Sequence, residues 1–474
     1  MNDFSYASVM NRKNEIMKKS IGIDYDDFKR GLIAFDYEGM MRNTGYTLSD
    51  VQKIQRESGI FETPLIELHN MTKVVRRLSK PGYGARIFVK DEQTNRAGSF
   101  KDRRASLSVY HAEKLGYKGV VAATSGNYGA AVASYAAMRG LKCIIVQECF
   151  DSRKVGQPEI LEKRRKCENY GAEVVSLTVG PELFYVFLKI LEETGYFNAS
   201  LYSPFGILGV ETLGYEISME CRERFGKDPD AVLITHAGGG NVTGTARGLI
   251  KAGALNTKII GVSVDLKGLH MASDRDFNKK SFTTGHTGFG IPFATWPDRS
   301  DVPRSAARPL RYLDRYVLVK QGEVFYTTEA LSSIEGLERG PAGNTSLAAA
   351  FKIASEMRED QILVVQETEY TGAGKNPSSQ ITFARQNGIE IIVGDPNSEV
   401  PGKNIVIPKD LSLIDARDVD LNRLKLSYIK NCIENINIDE ITEEDITFLS
   451  QDIKEDKCYV ENILSGGGLN EKGR

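Results

Sequence analysis

AVLITHAGGGNVTGTARGL, Ala231 to Leu249, passes from an apolar β-branched run through three consecutive glycines into a segment of helical character. Apolar on both faces, AVLITH suits a strand of a parallel sheet covered by helices on each side. The glycines let a backbone approach an anion closely, and Asn241 and Thr243 open a helix whose dipole favours phosphate. Strand, glycine turn and helix in this order form the first half of a βαβ unit, with its ligand beyond the strand's C-terminal end.

The same alternation extends in both directions. ARIFVK, GVVAAT, KCIIVQE, AEVVSLT, KIIGVSVD, QILVVQETE, EIIVG and NIVIP are separated by longer helical patterns from Ala85 to about Pro408. This predicts a doubly wound, mainly parallel α/β architecture. With 474 residues, the chain has room for more than one core at roughly 100–200 residues per domain. The expected division is a helical N-terminal extension over 1–55, a large domain from 56–105 and 214–410, a small α/β domain over 106–213, and a helical C-terminal extension over 411–474. The Gly- and Pro-punctuated stretch from Phe282 to Arg311 fits neither period, and long irregular segments within compact domains are usually functional.

Lys and Arg number 61 against 63 Asp and Glu, a net charge of −2, with no basic tail for nucleic acid or anionic lipid. No apolar run has spanning length and the N-terminus lacks a signal-peptide core, so a cytoplasmic protein is expected. The six cysteines show no Cys-x-x-Cys pair or zinc spacing, so reduced thiols and no metal are expected.

Three further motifs carry chemistry. RAGSFKDRRASL, Arg96–Leu107, starts a helix with Lys101, an amine on the unfavourable side of the helix dipole. A lysine desolvated in a cleft or set near cations has a lowered pKa and can form a Schiff base; Arg103, Arg104 and the helix end all push Lys101 that way. Ser99 and Asp102 have the S-x-x-D spacing of a capping box. A solvated surface lysine is the competing reading.

In AATSGNYGAAVAS, the turn Thr124–Ser125–Gly126–Asn127 follows a strand and offers hydroxyls, an amide and backbone N–H groups to a carboxylate or phenolic oxygen; an ordinary N-cap would look the same. QETEYTGAGKNPS puts Thr371 at a strand's C-terminal edge, where a hydroxyl can hydrogen-bond a ring nitrogen, with Glu367 and Glu369 as charged competitors. For the triglycine loop, the alternative is a dinucleotide fingerprint with Asp265 as ribose ligand. Thr243 stands where that fingerprint has its third glycine.

Taken in order, SFKD, TSGN, the triglycine loop and TGAGK resemble the fold type II enzymes that use pyridoxal 5'-phosphate, the tryptophan synthase β-like fold, in the threonine synthase-like branch. The resemblance implies that Lys101 holds the cofactor, Asn127 meets its phenolic oxygen and Thr371 its ring nitrogen. Ala237, Gly238, Gly239, Gly240 and Asn241 would cradle its phosphate, while Thr124, Ser125 and Gly126 receive the substrate carboxylate. NRAGSFKD departs from the family's Asn-Pro-Thr-Gly-Ser-Phe-Lys-Asp at Arg96 and Ala97.

Across nearly the whole chain, NEIMKKSIGIDYDDF, SFTTGHTGFGIPFATWPDRSDVPR and the motifs above are similar to the β subunits of the 2-amino-4-oxopentanoate thiolases. That family implies a small α subunit as partner, a homodimer of β subunits within a heteromer, and coenzyme A and 2-amino-4-oxopentanoate as substrates. The acyl transfer yields acetyl-CoA and alanine, reported as the D form, in ornithine degradation. His286, Arg299 and Arg304, with Arg308 and Arg311, are candidate coenzyme A contacts, and solvated arginines are the bland alternative. Cys149 is a weak candidate thiol nucleophile, with burial favoured. Alternatives are a threonine synthase, a β-eliminating ammonia-lyase or dehydratase and, more remotely, an NAD-binding dehydrogenase.

Overall fold

The computed structural model describes residues 3–60, 62–124, 126–267, 276–283, 301–370 and 376–466. Its strands are β1 Leu65–Glu67, β2 Arg86–Asp91, β3 Gly119–Thr124, β4 Lys142–Phe150, β5 Glu173–Thr178, β6 Phe197–Asn198 and β7 Ala231–Thr235. They continue with β8 Lys258–Val264, β9 Arg315–Val319, β10 Ile362–Glu367, β11 Glu390–Gly394, β12 Asn404–Pro408 and β13 Arg417–Asp418. One sheet has the order β1-β2-β10-β7-β8-β9-β13, and a second β5-β4-β3-β6. Both are parallel except at the edges of the larger one, where β1 and β13 run antiparallel. Their central strands are buried throughout, as sheets covered on both faces require.

All nine expected apolar runs are strands. β11 and β12 pair with each other instead of joining the larger sheet. β1, β6 and β13 are only two or three residues long, too short for a period to register, and β9 follows directly on the irregular stretch that hid it. Neither terminal segment hangs free. β13 completes the large sheet, and Asp445 Oδ1 accepts from the backbone N–H groups of Ile33 and Ala34 at 2.7 and 2.8 Å.

Three helices position the site. Pro204–Phe225 lies against both Lys101–Lys114 and Gly240–Lys251. They touch through backbone: a Cβ at Gly209 would overlap the Arg103 carbonyl, one at Gly214 the Thr245 carbonyl, and one at Gly248 the Glu211 carbonyl. Buried Gln55, on the N-terminal helix Leu48–Glu57, donates through Nε2 to the carbonyls of Arg103 and Gly209 at 3.0 and 2.8 Å. Among the described residues no helix is long and apolar enough to cross a membrane.

Candidate active site

Lys101 opens its helix behind Phe100 at the N-cap position. The capping box expected from Ser99 and Asp102 does not form. Ser99 Oγ accepts from the Lys101 N–H at 3.3 Å, and Asp102 Oδ2 turns back to accept from Ala97 and Ser99 N–H at 2.9 and 3.4 Å. Asp102 thus fixes the loop before the lysine, and burial pushes its carboxyl up to about 7.

Burial is also the first cause that brings the Lys101 amine down to about 8, opposed by Glu369 and assisted by Lys163 and Arg104. Arg103, expected to help, does not act on it. Its guanidinium is spent on Glu92 at 2.7 Å and Glu216 at 2.8 Å.

Glu369 is the centre of the site's charge. Beyond β10 the chain pairs with the loop before the lysine: Phe100 N–H donates to the Thr368 carbonyl at 3.0 Å and Tyr370 N–H to that of Gly98 at 2.8 Å. This pairing sets Glu369 Oε2 3.7 Å from Lys101 Nζ, and Asn127 Nδ2 donates to the same carboxylate. Glu369 Oε1 lies 3.5 Å from Lys163 Nζ, which also meets Glu159 at 2.5 Å. Nothing local links Lys163 or Glu159 to Lys101, some sixty positions earlier. That part of the site was missed, its only signal being the i,i+4 spacing of the two.

Asn127 opens the helix Asn127–Met138 beyond β3. Thr124 Oγ1 accepts from the N–H groups of Gly126 and Gly129 at 2.9 and 3.2 Å, which leaves its own O–H to donate. Gly126 has φ +155°, and Lys163 occupies the space its Cβ would take. Ser125 and Thr371 lie outside the described residues, as do His286 and Arg299.

The triglycine loop stands at the C-terminal end of β7, as its sequence implies. Gly239 has φ +82°, and its Cβ would stand 2.5 Å from Pro309 Cγ; a Cβ at Gly238 would overlap Tyr202 Oη, and one at Gly240 the Arg104 guanidinium. Thr243 Oγ1 donates to the Gly239 carbonyl and accepts from Arg308 N–H, each at 2.8 Å. Asn241 Nδ2 is buried without a partner among the described residues. This set fits a phosphate-bearing aldehyde: a cradle closed to side chains, unspent donors above a helix N-terminus, and a buried amine held partly neutral.

Other expectations are corrected. Asp265 is ion-paired with Lys320, so its carboxylate is not a free ribose ligand. Arg308 is no solvated arginine: it is buried against Asp452 and Tyr428, and Arg311 reaches Asp452 at 3.4 Å. Arg304 donates to the Ile33 carbonyl at 2.7 Å and lines a cleft with Lys18 and Lys29. Cys149 is fully buried, and burial raises its thiol above the usual range, as for a core residue.

Comparison with known proteins agrees with this geometry. Residues 56–367 match the family model described as pyridoxal-phosphate dependent enzyme. The chain is 66% identical over 467 residues to a 2-amino-4-ketopentanoate thiolase beta subunit from an unknown prokaryotic organism, covering 98% of this chain and 99% of that one. It is also 66% identical over 462 residues to the protein of that name from Acetoanaerobium sticklandii, covering 98% of each. Among solved structures, the threonine deaminase of T.th. superposes with a TM-score of 0.51 at 26% identity, over 68% of this chain and 98% of that one. The architecture is therefore fold type II, its cofactor is pyridoxal 5'-phosphate, and the chain belongs to the pyridoxal-phosphate dependent enzymes, in the family of the 2-amino-4-ketopentanoate thiolase beta subunits.

Proposed function

We propose that this chain is the catalytic subunit of a thiolase that cleaves 2-amino-4-oxopentanoate with coenzyme A to acetyl-CoA and alanine, in the cytoplasm, beside a small α subunit. The observation that carries the chemistry is the buried Lys101 amine, brought down to about 8 and facing Glu369 at 3.7 Å. The choice of substrate is supported by 66% identity along the whole chain.

Pyridoxal phosphate, when bound, supplies an electron sink beside the amino-bearing carbon. Lys101 would hold its aldehyde carbon, and the lysine amine would be the base that takes the substrate's α proton. Glu369, a carboxylate 3.7 Å from that amine, would take the proton of the coenzyme A thiol as its sulfur adds to the C4 carbonyl and deliver it to C3 as the C3–C4 bond breaks, which leaves acetyl on sulfur and the methyl group of alanine. Thr124, Ser125 and Gly126 bind the substrate carboxylate through hydroxyl and backbone donors. Asn127 orients the cofactor's phenolic oxygen, Thr371 meets its ring nitrogen, and Ala237 to Asn241 hold its phosphate.

Purified protein should be yellow, and with its small partner should release acetyl-CoA from 2-amino-4-oxopentanoate only when coenzyme A is present. Turnover of O-phosphohomoserine, or of serine or threonine to a keto acid, without coenzyme A would overturn this in favour of a threonine synthase or dehydratase.

A further inference from the structure

Arg104 lies one turn beyond Lys101, and the two share a helix face. Lys101 Nζ stands 5.0 Å and Arg104 Cζ 5.3 Å from the centroid of the Phe100 ring. Arg104 is 2% exposed. Its Nη1 donates to the Leu201 carbonyl at 3.3 Å, and its Nε has no partner among the described residues. Among the described residues no carboxylate pairs with it. The other buried arginines each meet one: Arg103 meets Glu92 and Glu216, Arg308 meets Asp452, and Arg339 meets Asp91.

A buried guanidinium without a counter-charge is a costly arrangement. Here the cost is compounded, because a like charge at i,i+3 and the positive end of the helix both repel it.

What it faces explains the arrangement. The guanidinium rests over the start of the helix Gly240–Lys251, with Cζ 3.0 Å from where a Gly240 Cβ would stand. The next residue on that helix, Asn241, is 6% exposed, and its Nδ2 has no partner among the described residues. The guanidinium therefore meets the N-terminal end of a helix, donor against donor, with no carboxylate between them among the described residues.

We infer that Arg104 is an anion ligand, whose guanidinium, with the first turn of the helix Gly240–Lys251, holds the phosphate group of the cofactor. The glycine loop then supplies shape and backbone donors, and Arg104 supplies the opposing charge through two parallel N–H bonds to phosphate oxygens. This rests on the pyridoxal phosphate reading of the site.

The test compares pyridoxal phosphate with pyridoxal, which lacks only the phosphate, titrated by absorbance into cofactor-stripped wild type, Arg104→Gln and Arg104→Lys, each with its partner subunit. Arg104→Gln should weaken pyridoxal phosphate about 50-fold, as expected for a lost charge-assisted pair, and leave pyridoxal within about twofold. Arg104→Lys, which keeps the charge without the fork, should weaken pyridoxal phosphate about fivefold. The 31P resonance of bound cofactor should move in Arg104→Gln.

Unchanged pyridoxal phosphate affinity in Arg104→Gln, or equal loss of both compounds, overturns the inference while the cofactor reading stands. A wild type that binds neither compound overturns both. If Arg104→Gln does not fold, Arg104→Lys decides, because a ratio of the two affinities equal to wild type overturns the inference.

Discussion

Arg103 and Arg104 are adjacent and both buried, yet they live in opposite surroundings. Arg103 donates to Glu92, Glu216, Thr63 and Thr212, in a cluster that also holds Lys90 3.0 Å from Glu220. Arg104 has one carbonyl, and on its face Lys101 stands 3.7 Å from its nearest carboxylate. One face of the helix is electrostatically complete and the other is left short of anions. A closed cluster fixes the helix in place. An open one is fit to receive a ligand, since strongly perturbed groups in a cleft mark functional sites.

The sharpest way to break this contrast is Lys101→Ala. It should cut turnover about 10^4-fold and remove the lysine-dependent absorbance of the bound cofactor, without loss of thermal stability, because it deletes a buried charge. Measurable turnover at a tenth of wild type would place the chemistry elsewhere.

On the closed face, Arg103→Leu should instead cost about 3–5 kcal/mol in urea unfolding, because the fully buried Glu92 loses its guanidinium and Glu216 keeps only Lys90 at 3.5 Å. A loss below about 1 kcal/mol would mean that the cluster is not what holds the helix.

Glu369→Gln should lower turnover about 10^2- to 10^4-fold, the usual range for a positioned acid or base. Because Glu369 raises the Lys101 pKa, its removal should also shift the pH at which the stripped enzyme's Lys101 becomes reactive to an acylating reagent to a lower value. An unmoved profile would detach Glu369 from the amine.

The smallest effect belongs to Asp102, whose folded value of about 7 lies above the ordinary 3.8 of an aspartate. The folded state binds the proton more tightly, so this group's ionisation costs stability as pH rises from about 4 to 7. Asp102→Asn should flatten the urea midpoint across that window relative to wild type. Parallel curves would show that burial does not perturb this carboxyl.

How legible was this in the sequence? The parallel sheets were, because a strand buried on both faces is an unbroken apolar run, and nine such runs are easily seen. The lysine turn and the glycine loop were legible because each is a local pattern with a local cause. The Glu159–Lys163–Glu369 chain was not, since its members come from separate elements and meet only when the end of β10 pairs with the loop at Gly98–Phe100. The pKa of Lys101 was foreseen in direction, but it was credited to Arg103 as well as Arg104, where burial leads and Arg104 assists. Sequence places Arg103 and Arg104 equally near, and only the cluster around Glu92 and Glu216 separates them.

The glycine contacts among the helices Lys101–Lys114, Pro204–Phe225 and Gly240–Lys251 have a consequence for motion. Helices that meet side chain to side chain can slip as rotamers hop, but these meet carbonyl against Cα, a joint with almost no slack. The amine and the anion cradle are therefore two jaws on a single rigid frame. Opening to admit a substrate must come from the other walls, with the gauge between lysine and cradle held constant through every turnover.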